Sequence, residues 1–305
     1  MTDPILVSMI VILGKSGQLG RALQALLSGS AAALGHDEVN ITDAAALNAA
    51  LTRLQPEAVV NAAAYTAVDK AERDADAAFA VNARAPLYAA EYCAHEGIPL
   101  VHFSTDYVFS GEGSRPWTEE DPPAPLSLYG RSKLDGENAI RRRGGKHLIF
   151  RTSWLYDANG RNFLNTMLAL GRTREEVKVV ADQHGAPTYA PQLAQAAMAG
   201  LTAAMAQKEF PSGVYHLCHG GETTWHGFAE AIFAAAGRRE ALNVRKVTAI
   251  PSEAYPTPAR RPHNSRLDCS KARKTLGILL PAWQEGLAAC MEQKYGSAGH
   301  AAAGS

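Results

Sequence analysis

The sequence has no excess of either charge: its 30 basic and 30 acidic residues cancel. That balance argues against bulk electrostatic capture of nucleic acid or an anionic membrane, while leaving room for a local patch. Long apolar runs are also missing, and nothing approaches the roughly 20 residues needed to span a bilayer. No basic flank and long apolar segment opens the chain, so no secretory signal is expected. Cysteine is sparse. Cys93, Cys218, Cys269 and Cys290 offer no pair at close metal or redox spacing. They read as reduced thiols, and the expected location is the cytoplasm. No internal repeat is visible. Residues 1–8 and 294–305 are expected to be disordered termini, with Met9 as the start of the fold.

What is present is ample for a core: 305 residues, 47% of them apolar, enough for one large or two modest domains. Short apolar runs predict strands at 10–13, 31–35, 57–60, 99–103, 147–151, 177–181, 214–218 and 244–250. Helical patterns occupy 21–27, 44–54, 79–94 with an interruption near Pro86, 129–143, 190–205 and 228–236. The first strand leads into Gly14-Lys15-Ser16-Gly17-Gln18-Leu19-Gly20 and then a helix. Strand, glycine turn and helix are the context a dinucleotide-binding loop needs. Glycines let backbone amides approach a pyrophosphate, and the helix N-terminus favours its charge. The plain alternative is a glycine-rich turn.

A nicotinamide dinucleotide site often ends its second strand with an acid for the ribose diol. Gly35 and His36 stand there instead. Losing the acid removes repulsion against a 2′-phosphate, and His36 or Arg21 could help bind one, which leans towards NADPH. Asp37 is the acid if the register shifts by two. Asp43 reads as a helix cap. Asn61-Ala62-Ala63-Ala64 closes the third strand with small residues that admit a flat ring or a ribose, or simply pack tightly.

The chemistry concentrates in Ser104-Thr105-Asp106-Tyr107-Val108-Phe109 and Tyr129-Gly130-Arg131-Ser132-Lys133. Thr105 ends a strand, where open α/β sheets bind ligands. Tyr129 and Lys133 are four apart on a helix and share a face. A phenol has an unperturbed pKa of about 10, and an ammonium one turn away is expected to lower it. Thr105 can add a second hydroxyl to the same substrate oxygen. Together they suit proton donation to a carbonyl. Residues 110–125 read as a mobile loop over the site. Trp154, just past a strand, lines a cleft or fills core. Arg260, Arg261 and Arg266 suit phosphate or a solvated loop. His216 and His219 are placed on one strand, facing opposite sides, so no metal is expected there.

Taken in order with Arg151-Thr152-Ser153-Trp154, Gly185-Ala186-Pro187-Thr188 and Arg261-Pro262-His263-Asn264-Ser265-Arg266-Leu267, these motifs resemble the dTDP-4-dehydrorhamnose reductase family. That family belongs to the extended short-chain dehydrogenase/reductases, and the resemblance covers residues 9 to 293. It implies an α/β fold: a Rossmann-type doubly wound parallel sheet with a second, smaller α/β substrate-binding domain. Residues 9–153, with 190–224 returning, would bind the dinucleotide, and 154–189 with 225–293 the nucleotide sugar. The implied reaction is NADPH-dependent reduction of the 4-keto group of dTDP-4-dehydro-L-rhamnose, with NADH as the alternative carrier.

Thr105, Tyr129 and Lys133 would be catalytic. Gly14, Gly17, Gln18, Leu19, Gly20, His36, Asn40, Ile41, Ala63, Ala64, Tyr65, Thr66 and Phe103 would join Tyr129 and Lys133 around the cofactor. Thr105, Asp106, Trp154, Asn162, Arg261 and Asn264 would bind substrate. Some relatives are dimers bridged by a metal on glutamates. Ala22 replaces the first such glutamate and the surroundings of Pro191 offer no second, so no metal is expected and a homodimer stays open. Two rivals remain. A sugar dehydratase would carry a glutamate where Tyr107 stands, and an epimerase would retain its cofactor. A non-catalytic regulatory subunit of this fold would not need Thr105, Tyr129, Lys133 and Trp154 intact.

Overall fold

Six short apolar runs build the central sheet of the structure, a computed structural model that describes residues 9–296. The first half runs β1 (Ile10–Leu13), α1 (Gln18–Leu26), β2 (Ala31–Leu34), α2 (Ala44–Leu54), β3 (Ala58–Asn61), α3 (Val68–Ala71) and α4 (Ala75–Phe79). A π turn (Ala80–Arg84), α5 (Ala85–Glu96), β4 (Leu100–Thr105), α6 (Leu128–Arg143) and β5 (His147–Thr152) follow. The second half has β6 (Leu155–Tyr156), α7 (Phe163–Thr173), β7 (Glu176–Val180), β8 (His184–Gly185), β9 (Thr188–Tyr189), α8 (Ala190–Met205) and β10 (Gly213–His216). It ends with β11 (Thr223–Thr224), α9 (Trp225–Ala236), β12 (Lys246–Ile250), α10 (Ser270–Leu276) and α11 (Trp283–Tyr295).

The sheet order is β10-β5-β4-β3-β1-β2, and every pairing is parallel. Strands buried on both faces read as apolar runs, as β1 and most of β3 do, while β4 is buried throughout although it carries His102, Ser104 and Thr105. Successive side chains point to opposite faces. Ile12 joins Leu19, Leu23, Leu193, Leu201 and Leu276 on one side, while Val11 joins Leu47, Leu51, Ala89 and Ile140 on the other. Helices therefore cover both faces, the doubly wound α/β arrangement expected. A third core gathers Tyr156, Leu164, Val177, Phe228, Ile232, Trp283 and Leu287 from the second half, beside the parallel β7–β12 pair. The strand order turns back at β1, so a crevice opens over the carboxyl ends of β1 and β3, the place where such sheets bind ligands.

Three local readings change. The interruption expected near Pro86 is a π turn rather than a break, and Pro86 itself lies in the first turn of α5. In a regular helix the N–H that proline lacks would meet the carbonyl of Asn82; the π turn carries the chain past it. Residues 110–125 are tied down: Trp117 pairs with Leu267 and stacks on Phe109 at 4.7 Å, and Arg115 pairs with Asp121. Lys294 and Tyr295 belong to α11, where Lys294 Nζ donates to Ala158 O at 2.8 Å. The other residues of the expected disordered termini, 1–8 and 297–305, lie outside the described residues.

The helix carrying Tyr129 and Lys133 is seated by two glycines. Ser127 caps α6 by accepting from Gly130 N at 3.1 Å. A Cβ on Gly130 would lie 2.2 Å from Tyr107 O, and one on Gly136 2.1 Å from Asn82 O. Only glycine allows these approaches, by Gly130 to the turn after β4 and by Gly136 to the π turn.

Candidate active site

A cleft of about 720 Å³ opens over the carboxyl ends of β1, β3, β4 and β5. Gly14 leaves β1 with φ of +92°, and a Cβ there would sit 2.6 Å from Ala63 N, so the turn presses directly on the residues after β3. Gly20 completes that packing, since its Cβ would lie 2.0 Å from Gly14 O. It supports the turn and does not line the cleft. Gly17 faces open space, its Cβ no closer than 3.6 Å to any atom, at the N-terminus of α1. Space, free amides and a helix N-terminus fit a pyrophosphate. Gln18, Leu19, His36, Ile41, Ala63, Ala64, Thr66 and Phe103 line the same cleft.

Asn40 and Tyr65 do not line it. Asn40 Oδ1 accepts from Thr42 N and Oγ1, and the Tyr65 hydroxyl donates to Asp74 Oδ2 at 3.0 Å. The acid absent at Gly35 stands at Glu38. Its carboxylate accepts from Gly35 N at 2.8 Å and pairs with Lys15, which holds it below the usual carboxylate range. Position in the motif gives no hint of this, because the side chain folds back three residues.

Thr105, Tyr129 and Lys133 converge on the cleft floor, all buried. The Thr105 hydroxyl sits close enough to the Tyr129 phenol to favour its ionised form, against the larger effect of burial. Thr105 Oγ1 also donates to Asp106 Oδ1 at 3.1 Å. The lowered Tyr129 pKa expected from Lys133 is not found in the resting site. Lys133 Nζ turns down to Phe103 O, at 2.6 Å, and lies 3.3 Å from His102 Nε2. Burial instead pushes the Tyr129 phenol up to about 12, so it stays protonated at neutral pH. Burial pulls Lys133 down to about 8. Asp106, with Oδ2 unpartnered among the described residues, is pushed up to about 6, again chiefly by burial.

The opposite wall is aromatic. Trp154 lines it with φ of +49°, an uncommon value outside glycine, and stacks on Trp225 at 3.8 Å. Its carbonyl accepts from Thr188 N at 3.1 Å, which anchors the strained residue beside the β6–β9 pair. Phe163 packs 4.6 Å from Trp225. Trp225 and Phe163 escaped the sequence reading; aromatics opening helices α9 and α7 were the available signal. Asn162 Nδ2 donates to Gln18 Oε1 at 2.9 Å, joining the two halves across the cleft. Arg261 lines it too and pairs with Asp69 at 2.9 Å. Asn264 is elsewhere: it is buried and latches the loop, donating to Arg115 O at 2.8 Å. His219 lies past the end of β10 and donates from Nδ1 to Pro281 O at 2.9 Å, so the two histidines share no strand.

No group of three histidine, cysteine, aspartate or glutamate side chains that could hold a metal occurs among the described residues. No described helix is long and apolar enough to cross a membrane.

The family model described as "RmlD substrate binding domain" matches residues 8–295. A dTDP-4-dehydrorhamnose reductase of Shigella flexneri is 44% identical over 289 residues, spanning 91% of this chain and 95% of that protein. One from Burkholderia thailandensis is 44% identical over 290 residues, with 92% and 97% covered. The crystal structure of a dTDP-4-dehydrorhamnose reductase from Bacillus anthracis in complex with NADP superposes with a TM-score of 0.87 at 34% identity, covering 94% of this chain and 99% of that one.

Proposed function

The chain belongs to the RmlD family of dTDP-4-dehydrorhamnose reductases, and from that premise we propose that it reduces the 4-keto group of dTDP-4-dehydro-L-rhamnose with NADPH, giving dTDP-L-rhamnose. The observation that carries this reading is the convergence of two buried hydroxyls, Thr105 and Tyr129, with buried Lys133 in the cleft that the Gly14 turn also lines. The dinucleotide supplies hydride. Tyr129, kept neutral by burial, donates its proton to the oxygen that gains charge. Thr105 offers a hydrogen bond that strengthens as that charge grows. Lys133 stands one helical turn from the phenol that Tyr129 leaves ionised, and its ammonium favours that phenolate.

Gly14, Gly17, Gln18 and Leu19 hold the pyrophosphate. Ala63, Ala64 and Thr66 admit the adenosine and ribose, and His36 and Ile41 flank the adenine end. Asp106, Trp154, Asn162 and Arg261 face the sugar nucleotide. Glu38 and Lys15 stand at the tip of β2, where an acid suits NADH and a cation suits the 2′-phosphate of NADPH, so both carriers are compatible with the site. Residues 9–153 with 190–224 form the dinucleotide domain, and 154–189 with 225–293 the sugar-nucleotide domain. The reaction belongs in the cytoplasm, with its reduced thiols and nicotinamide pool.

The test is NADPH oxidation by the purified protein with the dTDP-keto sugar. Tyr129→Phe is expected to lower kcat at least ~10²-fold with little change in NADPH binding followed by fluorescence. A wild type that oxidises no NADPH, or a Tyr129→Phe variant as fast as wild type, overturns the assignment.

A further inference from the structure

Behind Lys133, buried side chains form a chain of hydrogen bonds whose direction is set at one end. Ala63 N donates to Asn61 Oδ1 at 3.1 Å. A backbone N–H cannot reverse, so the amide must present its oxygen to Ala63 and its nitrogen to His102. Asn61 Nδ2 then donates to His102 Nδ1 at 3.2 Å. His102 is fully buried, and burial with Lys133 alongside keeps the ring neutral. A neutral imidazole has one donor and one acceptor nitrogen. Here Nδ1 accepts, which puts the ring proton on Nε2, 3.3 Å from Lys133 Nζ. An ammonium has three donors and no acceptor, whereas an amine has a lone pair for that proton. Phe103 O, at 2.6 Å, takes a lysine hydrogen in either state.

We propose that His102 is a positioning residue for Lys133: locked by Asn61 with its proton on Nε2, it disfavours the ammonium and so sets the alkaline boundary of the reduction. The inference rests on the reductase reading above. The other groups around Lys133 do not undo it. Glu137, one turn further along α6, favours the ammonium, but its carboxylate is committed to Arg151 at 2.9 and 2.6 Å and to Ser104 at 2.5 Å. Tyr129, one turn back, is neutral. Asp106 belongs to the hydroxyl side of the cleft, bonded to Thr105. Below the lysine's titration the ammonium supports proton donation; above it the amine leaves the phenolate uncompensated and the rate falls.

Two substitutions reverse the ring. Asn61→Asp keeps an oxygen for Ala63 N and turns the other into an acceptor for Nδ1–H, moving the ring proton and freeing the Nε2 lone pair for an ammonium. His102→Gln can present its amide oxygen to Lys133 directly. Both are expected to move the alkaline limb of kcat upward by about one pH unit or more, whatever their rates on the acid side. Nitrogen NMR of ring-labelled histidine should place the His102 proton on Nε2 in the wild type and on Nδ1 in Asn61→Asp. A wild-type ring protonated on Nδ1 overturns the proposal, as does an alkaline limb that stays in place while the ring proton moves. An inactive wild type would instead defeat the reductase reading, and the NMR result would still decide the tautomer.

Discussion

Asp106 shows how burial of one carboxyl can serve function at the expense of stability. It is 2% exposed, accepts from Thr105, and is pushed up to about 6 from an ordinary 3.8. Between those values the folded chain binds more protons than the unfolded one. Stability therefore falls as pH rises through that interval, and the cost is complete above about 6, at roughly 2–3 kcal/mol. Asp106→Asn should raise Tm by several degrees at neutral pH, and the gain should shrink towards zero near pH ~4. The new amide nitrogen falls where Oδ2 has no partner, which offsets part of the gain, so the difference between the two pH values is the diagnostic. Calorimetry giving the same change in Tm at both would refute the account. Thr105, Tyr129 and Lys133 were legible in the sequence because helix spacing and a strand end place them together. The direction of the lysine's influence was not, since it depends on His102 and Phe103 O lying beneath it. Asn40 and Tyr65, expected at the site, spend their side chains on contacts within nine residues, and Asn264 spends its own on the distant 110–125 loop.

At the level of elements, the placement of α6 decides whether the two hydroxyls meet. Alanine is ordinarily favoured over glycine within a helix by about 1 kcal/mol. Gly130 and Gly136 reverse that sign, because each Cβ would strike a backbone carbonyl, at 2.2 and 2.1 Å, that cannot move alone. Gly130→Ala and Gly136→Ala should each lower stability by about 1–3 kcal/mol, seen as a lower urea midpoint. Gly130→Ala should also cost more kcat, since it drives apart the helix that holds Tyr129 and the turn that follows Thr105. A raised midpoint in either variant would show that the contact yields. Neither contact was visible in the sequence, where Gly130 and Gly136 look like helix weaknesses. The π turn was hidden in the same way: Pro86 announces an irregularity, but only packing shows that Asn82 is drawn in to bond Tyr65 and Ser132.

Across the whole molecule, the sheet is finished by chain that arrives late. A strand near 214–218 could be read from its apolar run, but periodicity does not say which strand it joins; its return to the first domain came from the family resemblance. In the structure β10 pairs with β5, and α8 and α10 cover the face of β1 that carries Ile12 with Leu193, Leu201 and Leu276. Contacts across the cleft add Gln18 to Asn162, Arg21 to Asp157 and Asp69 to Arg261. A fragment ending at 189 would keep the glycine turn and all three catalytic side chains, yet lose β10, α8 and α10. Its β5 would become an open edge and Leu19 and Leu23 would face water, a surface that invites aggregation. Residues 9–189 alone should therefore show no cooperative thermal transition, while the full chain, sharing one core between early and late elements, should unfold in a single step. A sharp transition in the fragment, with NADPH still bound, would mean that the late elements only decorate a fold the first half completes unaided.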